Sequence, residues 1–322
     1  MLIMDGSEIK KLALGGQEFI KKPEITDYWD FYVGTLIYDI ALSNDENYLY
    51  IFYSTGIQKV DRKGKLIWTY KYPGSSNISI GTVTSDGYVL FADNDNLYSL
   101  KDNGQDVSYF NSVGFGNRVT ALAADVSTKT YVGLSQSDVI LYDMSDKNSQ
   151  EINTLFTVEN SSHRVTSLCL NNDVLIATSS SGKILRYYLN TKGYKKAYPF
   201  TGTVSNDTNV FASVSGNQII CSNGTSGELV LLDADLNILK KKTTNISAFK
   251  SCLIINGYIY ANSLNSSSST YSVYKFDLDF SMLMCKIYST DNVSKLVYSE
   301  KDDALYMGHD AYYVGKFATY FA

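Results

Sequence analysis

The sequence predicts an all-β fold, a seven-bladed β-propeller of four-stranded antiparallel blades, with the ring closed by a strand from the N-terminal region. Two observations support this prediction. A pattern of four short strands separated by turns recurs seven times along the 322 residues, with starts about 40 to 46 residues apart. No segment shows the clear apolar periodicity of an amphipathic helix, which argues against a helical solenoid.

The first copy of the repeat shows its four strands most clearly. From Ile37 it runs IYDIAL, YLYIFYS, IQKVDR and LIWTYKY, with the turns SNDEN, TG and KGK between them. Asp, Asn, Ser and Gly are typical turn residues, and the segments between the turns alternate or are continuously apolar, as strands are. The seven copies begin near residues 37, 78, 119, 165, 209, 249 and 293.

A single copy of the repeat buries too little apolar surface to be stable alone, so the copies must pack on one another around a central axis. We therefore expect residues 17–322 to form one propeller domain, preceded by an N-terminal strand or arm over residues 1–16. The last copy has only three strands, VSKLVYS, ALYMGHD and AYYVGKFATYF. Another segment must supply its fourth strand, because an unpaired edge strand promotes aggregation.

The opening stretch EIKKLALGGQEFIKKP has the same order as IQKVDRKGKLIWTYKYP of the first copy, namely strand, glycine turn, strand and proline. Its second half is the predicted closing strand, and Glu24–Tyr32 is the alternative. A helix is disfavoured because each of the two glycines Gly15 and Gly16 costs a helix about 1 kcal/mol. A docking arm is the alternative to ring closure. The predicted closing residues are Gln17, Glu18, Phe19, Ile20, Lys21 and Lys22.

Parts of the sequence resemble known propeller repeats. The segment VDRKGKLIWTYKY is similar to the pyrroloquinoline-quinone type of repeat, in which an Asp ends the third strand, a Gly makes the turn and a Trp starts the fourth strand. The Trp-Asp and Gly-His pairs of WD40 repeats occur once each, at Trp29-Asp30 and Gly308-His309. The resemblance implies the propeller fold, which serves many functions and specifies none of them.

The composition restricts the classes of partner. A net charge of −5 and a sequence pI near 5.1, with scattered basic residues, argue against a nucleic-acid partner, which requires clustered Lys and Arg. No apolar run approaches the roughly 18 residues of a membrane-spanning helix, so no membrane insertion is expected. The first residues, MLIMDG, lack the long apolar core of a signal peptide, so we expect synthesis and folding in a cytoplasm.

No pattern of residues indicates catalysis, a metal or a cofactor. The two histidines, His163 and His309, are too few for a histidine-rich metal centre, and no G-x-S-x-G, Walker or dinucleotide-binding pattern occurs. The four cysteines lie far apart, which favours buried free thiols over a zinc site or a redox pair. The acidic clusters in ADNDN and SNDEN lie in predicted hairpin turns. We therefore predict a protein without enzymatic activity.

Eight residues are candidates for a binding surface on one face of the ring. An aromatic cluster lies in TDYWDFYVG, and aromatic side chains can stack on sugar rings or anchor a protein interface. The histidines lie near loops rich in Ser, Asn, Asp and Gly, a composition that suits polar recognition. The structural alternatives are a half-buried aromatic strand and solvated loop histidines. The candidates are Tyr28, Trp29, Phe31, Tyr32, His163, Arg164, His309 and Asp310.

The stretch DGSEIKKLALGGQEFIKK resembles the opening of tail and baseplate proteins from phages and prophages of low-GC Gram-positive bacteria. Usage of 24 lysines against four arginines agrees with an AT-rich genome. The resemblance implies a structural or interaction component of a phage tail or tail-like bacteriocin, located in that particle. Its partners would be other particle proteins, with cell-surface glycan as a further partner. The residues concerned are Asp5, Gly6, Glu8, Ile9, Leu12, Leu14, Gly15, Gly16, Phe19 and Ile20.

Two other hypotheses are compatible with the sequence. The first is a carbohydrate-binding or glycan-cleaving propeller in the receptor-binding apparatus of such a particle. The second is a cytoplasmic WD40-like interaction scaffold unconnected with phage. The propeller fold can serve all three functions, so the sequence alone does not decide between them.

Overall fold

The structure of the protein, a computed structural model, describes residues 3–4, 7–8, 11–14, 17–20, 29–124, 129–143, 153–200, 210–246, 249–265, 270–288, 294–309 and 312–319. Within these ranges, seven sheets of four antiparallel strands form a ring, so the predicted seven-bladed propeller is confirmed. No helix in the described ranges has the length and apolar character that crossing a membrane requires.

Each of the first six blades is one continuous segment in which strands 1 to 4 are neighbours in order. Blades 1 and 2 contain Ile37–Leu42, Tyr48–Tyr53, Gly56–Asp61 and Leu66–Lys71, then Ile80–Val83, Tyr88–Asp93, Asn96–Asp102 and Val107–Gly114. Blades 3 and 4 contain Val119–Ala124, Lys129–Leu134, Asp138–Asp143 and Asn153–Thr157, then Val165–Asn171, Val174–Ser179, Ile184–Tyr188 and Tyr194–Ala197. Blades 5 and 6 contain Val210–Ser215, Gln218–Asn223, Glu228–Leu232 and Ile238–Thr243, then Phe249–Ile255, Tyr258–Asn265, Thr270–Asp277 and Met282–Tyr288.

The seventh blade takes its outer strand from the N-terminal region. Its first three strands are Leu296–Ser299, Ala304–His309 and Tyr313–Ala318, and Trp29–Tyr32 pairs antiparallel with the third of them. The closing strand therefore lies within Glu24–Tyr32, the alternative range predicted above. It is followed closely by blade 1, so a short connection leads from the closing strand into the first blade, as between blades 2 and 3.

The prediction that Gln17–Lys22 closes the ring is wrong. Gln17–Ile20 pairs with Lys11–Leu14 in a separate two-stranded sheet, so the interpretation of this stretch as two strands joined by a glycine turn is confirmed. Because Leu14 and Gln17 are register partners, the connection is short enough to favour a local hairpin over pairing with a distant edge. A second small sheet pairs residues 3–4 with residues 7–8, and residues 21 and 22 lie outside the described ranges.

The hydrophobic core lies between neighbouring blades. We call the interface between two neighbouring blades a seam. At the seam between blades 1 and 2, Phe52 and Ile57 of one sheet pack with Val89 and Phe91 of the next, and all four side chains are fully buried. Each blade thus covers an apolar face of its neighbour, which gives the repeat the burial that a single blade lacks.

A buried cation on a third strand links blade 1 to blade 2. Lys59 Nζ lies 2.7 Å from Asp102 Oδ2 and donates to the Gly104 carbonyl at 3.1 Å. Tyr50 and Trp68 also donate hydrogen bonds to the Asp102 carboxylate. Burial acts to raise the pKa of Asp102, but hydrogen bonds from Lys59, Tyr50 and the Gly104 N–H outweigh it and hold that pKa below its usual value.

A similar contact, from a cationic side chain to a backbone carbonyl of the next blade, occurs at two further seams. Arg186 in blade 4 donates to the carbonyl of Ala234 in blade 5. Lys275 in blade 6 donates to the carbonyl of Thr319 in blade 7 at 3.2 Å. In each case a long cationic side chain from the third strand of one blade reaches into the next blade. It contacts the end of that blade's third strand or the turn after it.

The seam between blade 7 and blade 1 combines several of these contacts. Asp302 pairs with Lys316 at 3.1 Å in its own blade and with Arg62 of blade 1. Trp29 of the closing strand donates its Nε1–H to the Arg62 carbonyl at 2.7 Å. Glu46 of blade 1 accepts two hydrogen bonds from the first-to-second-strand turn of blade 7. The ring is therefore closed by side chains as well as by strand pairing.

The alternating strand directions give the ring two faces. The upper face carries the turns between second and third strands and the connections from each fourth strand to the next blade. The lower face carries the turns between first and second strands and those between third and fourth strands. The first strands surround a central channel that joins the two faces.

Candidate functional site

The central channel contains a cavity of about 470 Å³ that is lined by residues from every blade. In four blades a β-bulge lies at the same point of the first strand. The bulged residue has no register partner in the second strand, and its side chain lines this cavity. Bulges redirect side chains and are common beside binding sites. The four bulged residues are Tyr38, Thr120, Thr166 and Lys250.

The upper mouth of the channel opens into a cavity of about 440 Å³ between blades 2, 3 and 4. Arg118 and Arg164 line this cavity from equivalent positions, each directly before the first strand of its blade. Their backbones are held in the same way. The Arg118 carbonyl accepts from the Ser135 N–H and the Arg164 carbonyl from the Ser180 N–H, each at 2.9 Å.

The residues that follow the two arginines fix the walls of the upper cavity. Val165 is fully buried, and Gly133 leaves room for it, since a Cβ at Gly133 would lie 2.6 Å from Val165 Cγ1. The hydroxyls of Thr120 and Thr166 donate to backbone carbonyls at 3.1 Å and 2.8 Å. These hydroxyl protons are used within the protein, and Arg118 and Arg164 are the charged residues of the described lining.

The lining of the upper cavity is positively charged in a protein whose net charge is −5. The sequence contains four arginines, and two of them lie here. Deeper in the channel, Lys250, Lys295 and Asp39 line the central cavity. Burial raises the pKa of Asp39, and Lys295, whose Nζ lies 3.9 Å from its carboxylate, opposes that rise. None of the nine described residues around the upper cavity is acidic or aromatic: Ser79, Ile80, Arg118, Val119, Thr120, Ser135, Arg164, Val165 and Thr166.

Two cavities on the lower face have a different chemistry. One of about 820 Å³ is lined mainly by first-to-second-strand turns, and Asp173 is the charged residue among the described residues around it. The other, of about 370 Å³, lies at the seam between blades 7 and 1, where Arg62 and Lys316 already pair with Asp302. Of these four cavities in the described part of the chain, the one at the upper mouth is lined by positive charge alone.

The structure divides the predicted aromatic cluster between two roles. Trp29 and Phe31 pack inward from the closing strand, and the Trp29 ring lies 5.8 Å from the Tyr306 ring. Tyr32 is 61% exposed on the upper face, with its ring 5.1 Å from that of Tyr313. The alternative interpretation, a half-buried aromatic strand, therefore applies to Trp29 and Phe31, whereas Tyr32 stays a candidate for binding.

The structural alternative given for His309, a solvated loop histidine, is wrong. It ends the second strand of blade 7, is 5% exposed, and places Nε2 3.0 Å from Asp30 Oδ1 of the closing strand. Gly315 is the register partner of Asp30, and a Cβ at Gly315 would lie 2.6 Å from that same oxygen. His309 thus takes part in ring closure. Tyr28 and Asp310 lie outside the described residues.

His163 lies in the connection that leads into blade 4, beside Arg164 on the upper face. Its carbonyl accepts a hydrogen bond from the Ser137 hydroxyl, and within the described residues its Nδ1 is buried without a hydrogen-bond partner. Tyr32 and His309 belong to blade 7, three blades away around the ring. The predicted residues therefore share one face but do not form one site.

Arg118 is a residue of the upper cavity that the predicted set lacks. A signal for it is present in the sequence, because Arg-Val-Thr occurs at 118–120 and again at 164–166. In a repeat fold, identical tripeptides at the same place in two copies bring the same side chains to one surface.

The prediction that the acidic clusters serve their own turns is correct only in part, because Glu46 accepts hydrogen bonds from blade 7 and Asp93 accepts one from the Tyr72 hydroxyl. Asp45 accepts from the Ser43 hydroxyl and the Asn47 N–H within its own turn. The cysteines are free, but Cys285 is exposed, so the expectation of buried thiols is wrong for it. In the parts of the chain that the structure describes, no three His, Cys, Asp or Glu side chains are grouped so that they could hold a metal ion.

Comparisons with known proteins bear on the fold. No protein-family model matches the sequence, and no curated protein matches it. The structure of U3-55K is similar with a TM-score of 0.73 at 14% identity, covering 92% of this chain and 100% of that one. The RRP9 WD40 repeats give 0.72 at 13%, covering 90% and 97%, and BamB from Moraxella catarrhalis gives 0.62 at 13%, covering 89% and 84%. These similarities show the propeller fold alone.

Proposed function

We propose that this protein is a non-enzymatic interaction component of a phage tail or contractile tail-like particle, with the propeller acting as a rigid protein-binding platform. The observation that carries the proposal is the upper mouth of the channel. Its cavity of about 440 Å³ falls within the roughly 300–1,000 Å³ of typical ligand sites and has a small set of fixed polar groups.

The seams between blades make the upper face a stable base for recognition. Buried contacts such as Lys59 with Asp102, and the pairing of Trp29–Tyr32 with blade 7, join neighbouring sheets. The connection between blades 2 and 3 at the upper mouth is short, running from Gly114 to Val119. A partner that binds there meets pre-positioned groups, and pre-organisation lowers the entropic cost of binding.

The assignment to a particle rests on two features of the sequence. The opening stretch resembles those of tail and baseplate proteins, and the strong preference for lysine over arginine agrees with a low-GC Gram-positive source. In this proposal the protein is made in the bacterial cytoplasm and joins the particle there. Its partners are the other proteins of the particle.

Fractionation of the source bacterium tests this proposal. Particles are purified on a density gradient after induction, and the protein is quantified by mass spectrometry across the gradient. We expect it to co-sediment with sheath and tube proteins at a constant ratio. A protein that stays entirely in the soluble fraction, while the particles sediment without it, would contradict the proposal.

Glycan recognition is a second candidate because of exposed aromatic rings on the upper face. Tyr32 is 61% exposed and Tyr313 37% exposed, and neighbouring aromatic rings of this kind can stack on sugars. A glycan array, read beside a depolymerisation assay, separates this candidate from the first. Binding that is lost in Y32A/Y313A would favour glycan recognition, and an array without binding would exclude it.

A further inference from the structure

A row of aromatic rings crosses three strands of blade 7 at the upper face. His309 in the second strand is the register partner of Tyr313 in the third, and Tyr313 is the register partner of Tyr32 in the closing strand. The ring centroids of His309 and Tyr313 lie 5.9 Å apart, and those of Tyr313 and Tyr32 lie 5.1 Å apart. The strand pairing itself therefore places the three rings side by side.

A carboxylate lies on the same side of the sheet as these rings. Asp30 and Tyr32 are two residues apart in the closing strand, so their side chains point to the same face. Gly315, the register partner of Asp30, has no side chain, which leaves room for the Asp30 carboxylate to reach His309. The contact of 3.0 Å between His309 Nε2 and Asp30 Oδ1 fixes the position of this carboxylate. We call Asp30, Tyr32, His309 and Tyr313 the tyrosine-aspartate surface.

The outer part of this surface is accessible to a partner. The side chain of Asp30 is 58% exposed although it contacts His309, and Tyr32 is 61% exposed. The Tyr32 ring lies beside Gly34, where a Cβ would be 3.5 Å from Tyr32 Cε1, and Gly34 has a φ of +82°, which glycine tolerates. The rings and the carboxylate are therefore positioned by the blade and remain open to solvent.

The combination of aromatic faces and a carboxylate is complementary to a cation. An ammonium or guanidinium group is attracted both to the negative face of an aromatic ring and to a carboxylate, whereas both repel an anion. A sugar ring stacks on a flat aromatic face, but the Tyr32 and Tyr313 rings are tilted by 51° to each other and do not form one flat platform. The surface therefore favours a cationic group over a sugar ring.

We infer that the tyrosine-aspartate surface binds a cationic side chain, lysine or arginine, of a protein partner. The inference rests on the proposed function, since it names the chemistry of a partner that docks on the upper face. The cation lies against the rings of Tyr32 and Tyr313, and the exposed part of the Asp30 carboxylate accepts its hydrogen bond. The surface belongs to blade 7, whereas the upper mouth lies between blades 2, 3 and 4, so it is a second contact on the same face.

The test is a fluorescence-anisotropy titration of the full chain with labelled hexalysine and, in parallel, with labelled hexaglutamine. We expect saturable binding of hexalysine alone, weakened about threefold to thirtyfold in D30N and in Y32L/Y313L. D30N removes the charge but keeps an oxygen that can accept a hydrogen bond from His309, and leucine keeps apolar bulk without an aromatic face. Thermal melting checks that each variant is folded.

The matched control is the variant D173N/Y194L. Asp173 is an exposed carboxylate in a turn of the lower face, and Tyr194 is 57% exposed in the outer strand of blade 4. The two changes remove the same chemical groups away from blade 7. The affinity for hexalysine should therefore stay within about twofold of that of the unchanged protein, because salt screens distant charges.

Three outcomes would overturn the inference. They are an absence of hexalysine binding, equal weakening in the control variant, and binding of cellohexaose that is tighter than that of hexalysine and lost in Y32L/Y313L.

Failure of this inference is distinguishable from failure of the proposed function. Particles that incorporate D30N/Y32L/Y313L at the normal ratio would contradict a role for this surface and leave the proposed function intact. Hexalysine binding that depends on Asp30, by a protein absent from particles, would support the surface and contradict the proposed function.

Discussion

Replacement of Asp102 by alanine is expected to lower the free energy of unfolding by about 3–5 kcal/mol, the usual effect of removing one partner from a buried ion pair. The Lys59 side chain is 3% exposed and would lose its counter-ion at the seam between two blades. The hydrogen bonds from Tyr50 and Trp68 would lose their acceptor as well. Urea unfolding followed by tryptophan fluorescence measures the change.

The matched control is the exposed pair of Lys195 and Asp235, whose side chains are 46% and 61% exposed. D235A should leave the unfolding midpoint unchanged, because solvent screens such a pair. The effect of D102A should also depend on pH. Since the pKa of Asp102 is lowered in the folded state, its stabilisation is present above the unfolded value near 3.9 and disappears as pH falls through the folded pKa. An equal loss in both variants, or a loss that grows in acid, would contradict this description of the seam.

Removal of residues 1–32 should open the ring. It eliminates the strand paired with Tyr313–Ala318, the inward packing of Trp29 and Phe31, and the contact between Asp30 and His309. Burial of two aromatic side chains and several main-chain hydrogen bonds together contribute about 5 kcal/mol or more, which is comparable with the stability of a whole domain. We expect insoluble expression or a large drop in melting temperature.

Removal of residues 1–20 is the control for this truncation. It deletes the hairpin of Lys11–Leu14 with Gln17–Ile20 and leaves the closing strand in place. Calorimetry should show a melting temperature close to that of the full chain. If the shorter truncation destabilises the protein as much as the longer one, the closing strand alone does not account for ring closure.

The repeat, the number of blades and the closure by an N-terminal strand could be predicted from the sequence because each follows from local patterns. The identity of the closing strand could not. Residues 8–22 have the glycine turn and alternation of a third and fourth strand, but that same turn lets the two halves pair with each other. The strand Trp29–Tyr32 has an alternating burial pattern, but in the sequence its aromatic residues indicate a binding cluster equally well.

The contacts between blades are also beyond the reach of the sequence pattern. Lys59 and Lys275 occupy positions in third strands that a hydrophobicity pattern assigns to solvent, and their partners in the next blade are distant in sequence. Each is the register partner of a tyrosine in the second strand, as Lys316 is in blade 7, a regularity that emerges only when the sheets are known. Of the two arginines of the upper mouth, Arg164 is predicted beside His163, whereas Arg118 requires the alignment of blades 3 and 4 in space.

Site-specific photo-crosslinking in the source bacterium tests most directly whether the upper face holds the partner. A benzophenone side chain at Ser162 lies beside the upper mouth, and one at Lys65 lies in a turn of the lower face. We predict a crosslink from Ser162 to an identified particle protein, absent from Lys65. Crosslinks from Lys65 alone, or none from either position in assembled particles, would contradict this placement of the partner.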